Sequence, residues 1–384
     1  MSAIVLAEAA GTEAEFLACI SVGTGTKCLP ASSIPKCRGT VLHDSHAEVL
    51  ALRAFNLFLL SEIQHILQIK DYKSRWVEYQ GGPSLASQKK PFILRPTVGI
   101  HLFSTEAPCG DASMGLLIES KSQDNNESWP EPLSAAPRLH GRGYFSILGA
   151  VRRKPSRGDA EPTLSKSCTD KLALKQFTSA LSFPATLFVE KTANAFIKSI
   201  ILPADKFEAE GFERAFGPSG RLCKSPTLQA AQHFQVEPLP LGALDFPFSK
   251  ILATADSPST RATNVSALWV EGRPGQNGLV NETLVNGVKQ GSKQFSEHNF
   301  KMSAVSRKRM WQRARQLVSM LQERQEELKI DYTMLSPLED AVFSRTYQEA
   351  KGGKVDSNRA AAKRYVIETL GGWHRNEGDE DWGL

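Results

Sequence analysis

Residues 41–60, VLHDSHAEVLALRAFNLFLL, set a histidine and a carboxylate two positions apart where a polar loop gives way to an apolar helix. An imidazole can hold a metal ion, and a carboxylate beside metal-activated water can take up a proton and pass it on. His46 is therefore read as a zinc ligand and Glu48 as the proton carrier. Catalytic zinc takes three protein ligands and keeps a fourth position for water, so two more ligands are needed. Cys109, in STEAPCGDASMGLLIE, and Cys168, in SKSCTDKLALKQF, supply them. All three residues stand at the start of a predicted helix, where free backbone N–H groups and the helix dipole favour the thiolate that zinc requires. Cys28 and Cys37, in the loop before His46, are competing thiols, and neither is at a helix start.

Elements must hold these residues rigidly. Apolar residues occupy nearly every side of the helix after Glu48, which predicts a helix buried between layers. Residues 4–7, 16–22 and 97–103 read as strands, and GTGTKC (23–28) as a loop whose glycines let backbone approach a ligand closely. Pro108 is placed to open a helix carrying Cys109 in its first turn. Residues 70–90 read as an insertion, 120–165 as a long polar insertion between the cysteine ligands, and 226–247 as a proline-punctuated linker. Residues 183–189 and 197–202 are core strands or helices, and 266–271 with 284–288 form a hairpin pair. Residues 303–328 carry the longest helical pattern, within a mainly helical C-terminal part (300–384) that stops at Gly371. The whole of 1–384 reads as one domain.

Bulk numbers narrow the class. With 384 residues, 41% hydrophobic and 23% charged, the chain can bury a large core. Its acidic N-terminal stretch argues against export, and six dispersed cysteines favour reduced thiols over a disulfide framework. An intracellular place, nucleus or cytoplasm, is expected, with no membrane association. The net charge of +5 makes an anionic partner plausible. Six cations and no acid fall between residues 301 and 315, either a solvated helix face or a contact for that partner.

The H-A-E of residues 46–48 and the P-C of 108–109 match half of the zinc nucleobase-deaminase signature. Where that signature places its second cysteine, two residues past the first, this chain has Ala112. The separation of Cys109 from Cys168 by an insertion resembles the adenosine deaminases acting on RNA and their tRNA-specific relatives. The likeness runs through GTGTKCLPAS, HDSHAEVLALRAF, STEAPCGD, SCTDKLALKQ, YQEAK and LGGW, and the LKQ ending favours the eukaryotic, fungal tRNA-specific branch. It implies an α/β fold: a three-layer α/β/α, cytidine-deaminase-like core with a mixed sheet, long insertions and a helical C-terminal extension. It also implies hydrolysis of adenosine to inosine, at nucleotide 37 of alanine tRNA, with one zinc ion.

The same resemblance implies a buried, structural inositol hexakisphosphate. Arg53, an isolated cation on an apolar helix, would be costly without an anion, and Lys171, Tyr347, Lys351 and Trp373 match further positions around that ligand, with Asp44 as relay partner of Lys171. A family arginine is Leu52 here and a family tryptophan is Lys175. Thr26 and Lys27 resemble residues that touch the extruded nucleotide. Ser113 replaces an arginine of the longer RNA-editing enzymes, which fits a tRNA loop better than a duplex. The expected partner is tRNA, with no obligatory protein subunit. Editing of messenger or double-stranded RNA is the alternative activity, and an inactive zinc-containing RNA-binding subunit is the alternative of another class.

Overall fold

Apolar strands begin and centre the fold: β1 (Ser2–Glu8) pairs antiparallel with β2 (Phe16–Thr24) on one side and with β5 (Val98–Ser104) on the other. The computed structural model describes residues 1–81, 89–122, 147–154, 161–222, 234–239, 263–272, 278–296, 302–352, 357–373 and 375–384. Between β2 and β5 come α1 (Ala47–Gln68) and a small separate pair, β3 (Val77–Tyr79) with β4 (Phe92–Leu94). Then follow α2 (Met114–Ser122), α3 (Cys168–Thr178), α4 (Ala185–Phe188), β6 (Ile197–Pro203), α5 (Ala209–Phe216) and β7 (Gln235–Leu239). β8 (Val265–Val270), β9 (Val280–Val285) and β10 (Val288–Lys289) precede α6 (Arg307–Glu323), α7 (Gln325–Leu328), α8 (Tyr332–Val342), α9 (Tyr347–Gly352) and α10 (Ser357–Leu370).

The described strands build a mixed eight-stranded sheet in the order β10-β9-β8-β2-β1-β5-β6-β7. Only β5–β6 and β6–β7 run parallel, and their long connections contain α2 to α5, as parallel crossovers require. The chain is thus an α/β protein, as its sequence predicts. β7 lies inside the stretch read as linker. Pro238 is tolerated there because β7 is an edge strand, where a missing N–H breaks no central ladder. The insertion read at 70–90 likewise contains β3. Of the hairpin reading, β8 does pair with β9, but residues 284–288 are the end of β9 and the tight turn at Asn286 and Gly287 into β10.

Burial explains α1. Leu50, Phe55, Leu59, Leu60 and Ile63 are fully inaccessible, and the helix packs between the sheet on one side and α6 on the other. Each such side chain contributes about 2 kcal/mol on removal from water. By length and composition alone this helix could cross a membrane, but most of it is buried inside the protein as a core helix. At 22 residues α1 is also longer than α6, whose pattern breaks at Arg324 before α7.

The basic run is not a uniformly solvated face. Met310, Trp311, Ala314, Leu317, Val318 and Leu321 bury one stripe of α6. Arg307 turns inward to Asp379 (3.2 Å), and Arg313 reaches Ser61 and Gln64 on α1 (2.8 and 3.0 Å). The C-terminal stretch closes this region: Gly39 N–H donates to Asp379 (2.8 Å), Tyr347 N–H donates to the Trp382 carbonyl (2.9 Å), and the Tyr347 and Trp382 rings stack at 4.8 Å.

The glycines of 23–28 serve α1 rather than a ligand. Gly23 lies so close that a Cβ would sit 2.6 Å from the Ala47 carbonyl oxygen, and at Gly25, whose φ is +137°, it would collide with the Ser45 carbonyl. Their absent side chains let the Gly25 and Lys27 carbonyls accept from Ala47 and Ser45 N–H at 3.1 and 2.9 Å, fixing the helix start. Gly11 also has a positive φ (+74°) but faces open space. Gly11→Ala should therefore cost about 1 kcal/mol of backbone strain, and Gly25→Ala at least about 2 kcal/mol because collision is added to strain. Urea midpoints of the two variants measure the difference.

Candidate active site

His46 caps α1 in an extended conformation, and Glu48 follows in the first turn. Asp44 accepts the His46 backbone N–H at 2.9 Å, so the residue two before the imidazole anchors it. The Nδ1 atom of His46 lies 3.7 Å from Cys109 Sγ and 3.7 Å from Cys168 Sγ. One atom from each of the three lies within 4.8 Å of the others, a group able to hold a metal ion. Glu48 is 93% buried (7% exposed) and close enough that its charge helps, after burial and Cys109, to raise the Cys168 thiol.

Local structure delivers each thiol differently. Ser167 caps α3 by accepting the Asp170 N–H (3.1 Å), placing Cys168 at the first helical position as expected. Cys109 is not in a helix. The chain passes through Gly110 at φ +111° into a short 3-10 turn (Asp111–Ser113) before α2, so Cys109 precedes it. The free N–H of Cys168 instead donates to Cys109 Sγ at 3.3 Å, and the α3 terminus thus serves the thiolate of the other segment. Thr169 joins the segments: its N–H and hydroxyl both donate to the Cys109 carbonyl at 3.0 Å, and the hydroxyl also reaches the Pro108 carbonyl.

Charge is shared within this group. A hydrogen bond from Cys168, with Lys154 and His46 nearby, holds the Cys109 thiol well below the usual range. Burial and Lys154 push the His46 ring down, but the Cys109 thiolate outweighs them and raises it to about 10. Cys28 also lies within hydrogen-bonding reach of the ring and forms a second cluster with Asp44 and His46.

The residue that sequence reasoning missed is Lys154. Its ammonium donates to both Asp44 oxygens (3.2 and 2.9 Å) and to Cys168 Sγ (3.3 Å), bridging carboxylate and thiol. It lies in RRK within the polar insertion, where nothing local distinguishes it from a surface lysine. Lys171 donates to the same Asp44 oxygen and to Ser165 (3.2 Å), as the Asp44–Lys171 pairing anticipated. Despite full burial, the Lys154 and Lys171 charges hold Asp44 well below the usual carboxylate range.

Beyond Lys171 the structure gathers cations. Arg53 is less isolated than its sequence suggests, since its Nε donates to the Val305 carbonyl at 2.9 Å and its Nη2 shares that acceptor. Burial lowers it to about 10, with Arg307 adding to the effect. Lys175, which replaces a family tryptophan, donates to Ala180 and Leu181 carbonyls and to Ser182 (3.1, 2.6 and 2.8 Å). Burial, then Lys363, Arg307, Arg359 and Arg53, push the Lys351 amine well below the usual lysine range. Lys351 is nonetheless solvent-exposed. Tyr347 is buried with Arg307 and Lys351 5.7 and 6.0 Å from its ring, and the Trp373 ring lies 5.4 Å from the Lys166 ammonium. Thr26 and Lys27 are exposed in the loop tied to the start of α1. Ala112 is fully buried and supplies no ligand.

Cys37, the other competing thiol, belongs to a third cluster with His43 and Asp379. Asp379 already accepts from Gly39, His43 and Arg307, so a guanidinium occupies the place of a cation. Burial raises the Cys37 thiol to about 12.

An α/β sheet carrying a His–Cys–Cys group beside a buried glutamate is the frame of a hydrolytic deaminase. A profile of the adenosine-deaminase (editase) domain matches residues 21–377. The tRNA-specific adenosine deaminase 1 of Schizosaccharomyces pombe is 36% identical over 286 residues, which are 73% of this chain and 68% of that protein. Its Saccharomyces cerevisiae counterpart is 36% identical over 191 residues, 48% of this chain and 46% of that protein. The double-stranded RNA-specific editase Adar of Drosophila melanogaster is 36% identical over 168 residues, covering 40% and 22%. The chain belongs to the adenosine-deaminase (editase) family, and its chemistry is that of an adenosine deaminase.

His43 yields a pH prediction. Burial lowers its ring to about 4, while its Nε2 hydrogen-bonds Asp379 at 2.8 Å and Arg307 approaches Nδ1 at 3.4 Å, the pattern of a neutral imidazole. The unfolded ring titrates near 6.5, so the unfolded state binds the extra proton and stability falls as pH drops from about 6.5 to about 4, by up to about 3 kcal/mol. His43→Gln should flatten that part of a stability–pH profile measured by urea unfolding.

Proposed function

We propose that this enzyme hydrolyses adenosine to inosine in tRNA, with nucleotide 37 of alanine tRNA as its target, using one zinc ion held by His46, Cys109 and Cys168. The observation that carries the zinc reading is the equal 3.7 Å spacing from His46 Nδ1 to the two thiols. Tetrahedral bonds of about 2.0 and 2.3 Å to nitrogen and sulfur separate those atoms by about 3.6 Å. Two thiols and an imidazole also match zinc's preference for sulfur and nitrogen. Zinc bound there lowers the pKa of a water in the open position to roughly 7 and so supplies the nucleophile.

The chain's own residues do the rest. Glu48, buried in the first turn of α1, takes the proton released as water adds to C6 and gives it to N1, then carries the hydroxyl proton of the adduct to the C6 amino group, which leaves as ammonia while the C6 carbonyl forms. Lys154 favours the thiolate form of both cysteines, and Asp44 orients Lys154 and the His46 backbone beside them. Thr26 and Lys27 stand exposed next to the helix start, suited to the extruded nucleotide and its phosphate. The tRNA target is supported by the names of the yeast relatives and by Ser113, which replaces a cation suited to gripping a duplex. The second reading, editing of double-stranded RNA, draws on the Drosophila editase match.

We also infer that inositol hexakisphosphate binds beside Lys351. The charges bearing on Lys351 and Lys363 are all positive, and neither ammonium has a hydrogen-bond acceptor among the described residues. A polyanion resolves that repulsion. Arg53, Lys171, Tyr347 and Trp373, which match family positions around that ligand, are the other residues expected to contact it. Retention of zinc by Glu48→Ala with inosine formation at least 100-fold lower is expected, and wild-type turnover in that variant would refute the proton-carrier role. Incubation with total tRNA, duplex RNA or free adenosine, followed by nucleoside mass spectrometry, separates the substrates: inosine should appear in the tRNA sample. Acid extraction of the purified protein should release a stoichiometric inositol polyphosphate, and its absence would overturn the polyanion reading.

A further inference from the structure

In a Cys-x-x-Cys site one turn of chain fixes the distance between two thiolates, but here 59 residues separate Cys109 from Cys168. Something outside the covalent chain must therefore set that distance. Each cysteine is followed two residues later by a fully inaccessible aspartate, Asp111 and Asp170. Both aspartates are taken by arginines of one short segment, the end of α5 and the turn behind it.

Arg214 donates through Nε to Asp111 Oδ2 at 3.0 Å and through Nη2 to the Asp111 carbonyl at 3.1 Å. Arg221 donates through Nη1 to Asp170 Oδ1 at 2.6 Å. The two arginines are themselves joined, with Arg221 N–H donating to the Arg214 carbonyl at 2.8 Å. Gly149 N–H on Asp111 (2.7 Å) and Arg152 N–H on Asp170 (3.0 Å) tie the far end of the insertion to the same carboxylates.

We propose that Arg214 and Arg221 are positioning residues: a two-pronged clamp that fixes the spacing of the Cys109 and Cys168 thiolates through Asp111 and Asp170. The inference rests on the zinc reading above. A contribution to bulk stability explains the arrangement poorly. The Arg221 side chain is 4% exposed and Asp170 0%, and a buried ion pair of that kind returns little net stability once desolvation is counted. Among the described residues, the buried Nε and Nη2 of Arg221 have no hydrogen-bond partner. A group held at such expense, two residues from a ligand, is suited to orienting that ligand. Partners of metal ligands act in this way by fixing the ligands' orientation and basicity.

The test uses the full chain loaded with zinc or, for spectroscopy, with cobalt(II). Compared are the wild type, Arg214→Gln, Arg221→Gln, the double variant, Arg221→Lys, and Arg324→Gln as a destabilising control far from the site. Zinc transfer to a colorimetric chelator should be about 10–100-fold faster in the glutamine variants. Their cobalt ligand-field bands should shift, kcat should fall with little change in KM, and Arg221→Lys should recover part of each effect. The control should lower the unfolding midpoint without moving either metal readout. Wild-type zinc release and a wild-type cobalt spectrum in the double variant would overturn the clamp. A wild-type chain that retains no zinc under the same conditions overturns the zinc reading and the clamp with it, and is recognised by metal analysis before any variant is compared. Should the double variant fail to fold, Arg221→Lys and the singles still decide: unchanged metal readouts there also refute the proposal.

Discussion

A buried carboxylate with four donors on it holds the catalytic region together. Asp44 accepts from the His46 backbone, from Lys154, from Lys171 and from Ser165 (2.9 Å), which come from segments up to 127 positions away. In a low-dielectric interior an ionised aspartate is tolerated only with such company, and each donor in turn has few other places to go. The start of α1, the end of the insertion and the start of α3 are consequently fixed to one point. His46 and Cys168 inherit their positions from it, and Cys109 is added through Thr169 and the Cys168 N–H.

That arrangement places opposite charges on the two sides of Asp44. Toward the candidate metal site lie thiolate and Glu48. Away from it lies an accumulation of lysines and arginines, in which Lys351, Lys363 and Lys175 are depressed chiefly by burial and then by neighbouring cations, Arg359 acting on all three. Lys171 stands at the junction. Lys171, Asp44 and Lys154 join the two regions, so a charge altered on one side is felt on the other without a conformational change.

What the sequence revealed followed its range of interaction. His46 and Glu48 stood out because their meaning lies in a local pattern, a loop turning into an apolar helix, and Cys168 because Ser167 and Asp170 form a recognisable helix start. Cys109 was picked out as a candidate ligand but misplaced in a helix: Pro108 suggests an entry, whereas Gly110 at φ +111° turns the chain first. Lys154 was invisible, since the basic, polar stretch around it resembles surface and its partner Asp44 is 110 positions distant. The run from 301 to 315 looked like solvated charge because periodicity does not show which arginines find buried acceptors. β7 was hidden for the opposite reason, as its proline is harmless only on an edge that no local pattern announces. Residues 82–88, 123–146, 155–160 and most of the 226–247 stretch lie outside the described residues, so the readings there stand as expectations.

The contacts of Asp379 and Trp382 carry an entropic consequence. Asp379 receives Gly39, His43 and Arg307, while Trp382 stacks on Tyr347 and donates its indole N–H to the Asp379 carbonyl at 3.1 Å. Gly39 and Asp379 meet across 340 positions, so the loop they close spans most of the polypeptide, and the entropy lost in closing it must be met by this one buried cluster.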